Sequence, residues 1–176
     1  MLQNDDRYSL FVNEFSSLLK ELVKDKEFSN LVFLCVGTDR VTGDSFGPLV
    51  GYKLKTLFKD TKKVKVLGSL ESIVSASNVI SVSKEIEDDS FIIAIDSAIS
   101  NTKKVGSIIV RDSSLILGKG LGKQILKIGD MSIKGVVGKN MNNPNLNFNL
   151  LQNIPLSIVM RMADVVANGI YDVIEV

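Results

Sequence analysis

The 176-residue chain has no histidine and no tryptophan, and its only cysteine is Cys35. Without imidazole, a Ser-His-Asp or Cys-His catalytic unit cannot be built within the chain, and the commonest nitrogen ligand for a metal is missing. A single cysteine excludes an intrachain disulfide, a paired redox motif and a thiolate zinc site. No apolar run approaches the roughly 20 residues that a membrane span needs. A dominant charge is lacking as well: 21 Lys and Arg face 20 Asp and Glu, a net of +1. Neither nucleic acid nor a membrane is therefore an expected partner on bulk charge. Proton chemistry, if present, must come from Asp, Glu, Lys, Tyr, Cys or a bound ion.

What is present reads as one domain over residues 1–176, long enough for a sizeable core. The opening MLQNDDRYSL is polar and acidic, unlike a secretory signal, so a cytoplasmic setting is expected. Residues 7–25 carry Tyr8, Phe11, Phe15, Leu18, Leu19 and Leu22 at helical spacing. Leu31–Val36 is a continuous apolar run ending at Gly37, which predicts a strand buried on both faces. A polar loop, 38–44, precedes a predicted helix over 45–58. Val64–Leu67 reads as a short strand, and 73–86 as a helix weakened by its β-branched residues. Phe91–Ile95 is a third strand, ending at Asp96. The alternation predicts an α/β fold: a three-layer α/β/α sandwich around a mostly parallel central sheet. Beyond it, Val105–Arg111 and Met131–Val137 predict additional strands, with an extra strand or hairpin at the sheet edge. The Asn-rich segment 140–149 reads as a loop, and a last helix is expected from about Pro155 to Tyr171.

In an open parallel sheet, sites form beyond the carboxyl ends of the strands. Asp39 and Asp44 follow the first strand, Glu71 follows the second, and Asp96 ends the third. Four carboxylates therefore belong to one rim. Two of them held close together share one proton and can activate water while protonating a leaving group. Alternatively, the four bind a hard divalent cation through oxygen. A plainer reading makes Asp39 and Asp44 turn and helix-cap residues. Gly37, Thr38, Gly43 and Ser97 adjoin these acids and are candidate substrate contacts, with the glycines admitting a peptide backbone. The Gly118-x-Gly-x-Gly122 segment, with Gly118, Gly120 and Gly122, is either a substrate-bordering loop or a plain turn. Cys35, inside an apolar strand, reads as a core thiol. The lysines between 53 and 65 read as solvated surface. A second basic surplus over 103–139 could attract an acidic partner, with solvated surface again the plainer reading.

Phe33-Leu-Cys-Val-Gly37, followed by Val41-Thr-Gly-Asp-Ser-Phe-Gly-Pro48, resembles the first strand and loop of the germination protease of bacterial spores. That family has a glycine and then a V-T-x-D-x-x-G-P pattern. Ile95-Asp-Ser-Ala98 resembles its second motif, and Gly118-x-Gly-x-Gly122 a downstream G-x-G-x-G segment. From about residue 28 onward the likeness is greatest to the smaller YyaC-type sporulation proteins. The resemblance implies a phosphorylase/hydrolase-like fold, related also to the hydrogenase maturation peptidases. It implies that Asp44 and Asp96 are the catalytic pair and that the substrates are small acid-soluble spore proteins in the forespore; no cofactor is expected. In the hydrogenase peptidases the corresponding acidic positions, with a histidine, contact nickel. This chain has no histidine, which disfavours that substrate class.

The leading expectation is thus a paired-aspartate peptidase. The competing ones are a non-catalytic sporulation protein that binds a peptide in the same cleft, and a metal-dependent hydrolase using Asp39, Asp44, Glu71 and Asp96.

Overall fold

The computed structural model describes residues 6–117 and 126–175. Helix α1 (Asp6–Val23) leads into strand β1 (Asn30–Cys35). A 3-10 turn (Thr42–Ser45) passes directly into α2 (Phe46–Leu57), then β2 (Val64–Leu67) and the five-residue α3 (Val79–Ser83). Strands β3 (Ser90–Ser100), β4 (Ile108–Arg111), β5 (Leu115–Leu117), β6 (Leu126–Ile128) and β7 (Met131–Lys139) follow, then α4 (Pro144–Asn153) and α5 (Leu156–Ile174).

The main sheet has the order β2-β1-β3-β7-β4. β1, β2, β3 and β7 are parallel, and the edge strand β4 runs antiparallel to β7. The expected parallel α/β sheet is therefore present, with the added strand at its edge. β5 and β6 form a separate antiparallel hairpin. The chain leaves β1 for β2 on one side and then crosses back to β3 on the other. The carboxyl ends of β1 and β3 consequently flank the topological switch point, where such sheets open a crevice.

One face of the sheet is covered by α1, α2 and α5. Phe33, Ile93, Ile95, Met131 and Ile133 from the strands pack there with Phe15, Phe46, Leu54, Val159 and Val166 from the helices. Each such fully buried side chain is worth about 1.5–3 kcal/mol of apolar transfer. Tyr8 of α1 donates to Asp172 of α5, and burial together with this bond raises the phenol to about 12. Alternate strand residues, Leu34, Val36 and Ala94, face the other side, under Val74, Val79 and the hairpin residues Leu115, Leu117 and Ile128.

Two segments depart from expectation. Residues 73–86 form a helix only over Val79–Ser83. The Asn78 side chain accepts from the Ser75 amide and donates to the Ile73 carbonyl, holding the preceding residues in a turn. The Asn-rich segment is not all loop: α4 starts at Pro144. The Asn143 side chain caps it by accepting from the amides of Asn145 and Leu146. Among the described residues no single helix is long and apolar enough to cross a membrane.

Candidate functional site

Strand β1 ends at Cys35, but its neighbour β3 continues to Ser100. The β1–β3 register runs only to Cys35 opposite Ile95, with a last bond from the Val36 amide to the Ile95 carbonyl. From Asp96 onward, β3 pairs with β7 alone. The chain turns away at Gly37, whose φ of 145° is reached readily only by glycine. A Cβ on Gly37 would lie 2.1 Å from the Asp44 carbonyl oxygen. That close approach lets the Thr38 amide donate to the same oxygen at 3.1 Å and folds the loop back over the end of β1. The 3-10 turn then delivers Asp44 beside β3.

Ser97 links the two sides. Its hydroxyl donates to Asp44 Oδ1 at 3.3 Å, and its amide donates to Asp96 Oδ1 at 2.7 Å. Asp44 does not cap α2: Ser45 occupies the cap position with no side-chain cap bond, and the Asp44 carboxyl meets Ser97 instead. Both aspartates remain partly accessible.

Burial raises the Asp96 carboxyl to about 8, reinforced by the charge of Asp44; the Ser97 amide and Lys134 pull the other way. Asp44 is raised mainly by burial as well, against the Ser97 hydroxyl and the Thr38 backbone. The charge of Asp44 thus adds to the cost of ionising Asp96.

The other rim acids do not join them. Asp39 and Glu71 are exposed. Among the described residues no three acidic or sulfur groups are grouped to hold a metal ion. The expected four-carboxylate cation site is corrected on that ground, and the donor set also does not fit nickel: two carboxylates stand without a histidine. Gly37 and Gly43 have a structural reason to be glycine apart from any peptide. The space a side chain would take at Gly37 is filled by the Asp44 carbonyl, and that at Gly43 by Leu151 of α4. Both serve the packing of the loop itself. Thr38 is partly buried in the loop, where its Oγ1 accepts from the Arg40 amide at 3.3 Å. Gly118, Gly120 and Gly122 lie outside the described residues. Cys35 is fully buried, with its thiol pushed up by burial, as a core residue would be.

One participant was not singled out from sequence. Lys134 of β7 stands opposite Asp96 in the β3–β7 register, and its charge favours the ionised carboxylate. It looked like one lysine in a basic stretch; only the strand register distinguishes it.

Residues 3–169 match a family described as "Protein of unknown function (DUF1256)". The Bacillus subtilis (strain 168) protein YyaC is 35% identical over 160 residues, spanning 89% of this chain and 76% of YyaC. Among solved structures, the NiFe hydrogenase maturation protease HycI from Thermococcus kodakarensis KOD1 is similar with a TM-score of 0.60. That match covers 90% of this chain and 99% of HycI at 20% identity, and it shows a shared protease-like fold.

Proposed function

The chain belongs to the DUF1256 family, with YyaC as a relative, and from that premise we propose that it is a paired-aspartate peptidase acting on spore proteins. The observation that carries the proposal is the Ser97 bridge, which brings Asp44 and Asp96 together at the switch point of a protease-like fold. The germination-protease likeness of the two aspartate motifs supports small acid-soluble spore proteins as substrates and the forespore as the setting.

Asp96, with the carboxyl raised to about 8, holds the shared proton, and Asp44 is the base. Asp44 takes a proton from a water molecule as its oxygen attacks the scissile carbonyl carbon. Asp96 gives its proton to the carbonyl oxygen, forming a neutral tetrahedral diol. The carbon–nitrogen bond then breaks: Asp44 gives its newly acquired proton to the leaving amine, and Asp96 takes one back from a diol hydroxyl. Both acids return to their starting states, and no metal or nucleophilic side chain is consumed. Ser97 keeps the two acids in register through the cycle.

The test is incubation of the purified protein with small acid-soluble spore proteins, followed by mass spectrometry. Wild type is expected to produce discrete fragments. Asp44→Asn and Asp96→Asn are expected to lose at least a hundredfold in rate while keeping native circular dichroism. Cleavage by both variants at the wild-type rate would refute the dyad. Absence of cleavage by wild type would refute this substrate class.

A further inference from the structure

A groove with neither Asp44 nor Asp96 in its lining runs between α1 and the segment that leads into β4. Its volume is about 410 Å³, within the range of sites that hold a ligand of several side chains. Its lining combines two chemistries. Leu10 and Val105 are large apolar side chains left 67% and 45% exposed, beside the buried Phe11. Around them stand Lys103, Lys104 and Arg111, with Glu14 as an acid in the lining. Lys103, Lys104 and Arg111 are exposed and make no ion pair within 4 Å among the described residues. The same Lys103–Val105 stretch lines a second depression reaching Ser100 and Lys139, so the basic surface extends past the groove. β4 is also an edge strand, hydrogen-bonded to β7 on one side only.

We propose that this groove docks an extended acidic peptide segment of a partner protein, with apolar residues of the segment placed against Leu10 and Val105. Charge complementarity selects the sign: three cations without an ion-pair partner among the described residues converge where exposed apolar surface needs cover. The concave shape and the open strand edge select an extended chain over a flat surface. Cations on a sheet edge also deter pairing with a second copy of the chain. That role alone does not account for an exposed leucine and valine inside a groove. The proposal stands on the groove and is independent of any peptidase activity.

The probe is a fluorescently labelled peptide alternating Glu with Leu and Val, measured by anisotropy against the full chain. Saturable binding is expected, falling as salt rises. A Lys103→Glu, Lys104→Glu double variant should bind at least tenfold more weakly at an unchanged melting temperature. Leu10→Ser should also weaken binding, as should replacing the probe's apolar residues with Ser. The proposal is overturned if a probe with Lys in place of Glu binds equally well, or if the double variant binds like wild type. Binding of anionic phospholipid vesicles or single-stranded DNA without binding of the peptide overturns it equally.

Discussion

Replacing Asp96 with asparagine should make the protein more stable relative to wild type as the pH rises. In the folded protein burial and the Asp44 charge raise Asp96 to about 8. In the unfolded chain an aspartate titrates near 3.9. With the folded value above the unfolded one, the stabilising contribution of Asp96 is complete below about pH 3.9 and drains away until about pH 8. Each unit in that window corresponds to about 1.4 kcal/mol. Between pH 5 and pH 8 wild type should therefore lose up to about 4 kcal/mol through this one group. Solvent access to the partly exposed Asp96 screens the effect, so about 2 kcal/mol is the working figure. An asparagine side chain cannot ionise, so the Asp96→Asn variant does not share the loss. Urea unfolding followed by circular dichroism at pH 5, 6, 7 and 8 gives the gap directly. The expected result is a variant-minus-wild-type difference that grows with pH, alongside lost peptidase activity. A gap that stays constant across these pH values would refute the assignment of Asp96 as a carboxyl held protonated. Asp44→Asn provides the control for coupling: it removes the neighbouring charge and should lower the pH at which Asp96 ionises.

Gly37→Ala should destabilise the fold by about 2 kcal/mol or more, because the new methyl would meet the Asp44 carbonyl at a strained φ. Chemical denaturation within about 0.5 kcal/mol of wild type would contradict the described loop. Lys134→Met removes a charge that favours ionised Asp96, so the Asp96 carboxyl should titrate at higher pH. Carbon-13 NMR of the side-chain carboxyls measures this, and an unmoved or lowered titration argues against coupling across the β3–β7 register. Cys35 should ignore an aromatic disulfide reagent in the native protein and react as one thiol per chain after unfolding. Rapid labelling without unfolding would mean that the core beneath β1 is open.

The strands and long helices are legible because their apolar runs are short and bounded or recur at a clean helical period. Val64–Leu67 forms β2 with the predicted bounds, and the Phe11, Phe15, Leu19 stripe buries α1 as its spacing predicts. The proximity of Asp44 and Asp96 was legible through topology, since two adjacent parallel strands deliver their ends to one rim. Local chemistry was read less well. Asparagine is a poor helix former, so the run around residue 143 suggested a loop. Yet Asn143 followed by Pro144 is itself a helix-start signal, and the side chain caps the amides it precedes. Gly37 and Gly43 were recognisable as special positions but not as packing sites, because their neighbours, Asp44 and Leu151, arrive from elsewhere in the chain. Lys134 depends on register, which hydrophobic pattern alone does not supply across β3 and β7.

Because β1 stops at Cys35 while β3 continues to Ser100, the flank of β3 beyond Ile95 has no strand beside it among the described residues. The 3-10 turn takes that place and sets Asp44 against Ser97. The outer strands, β2 and β4, end the sheet with backbone groups that a neighbouring sheet could pair. At the inner flank a side-chain contact stands in for the ladder, so the sheet is interrupted there without gaining another edge of that kind.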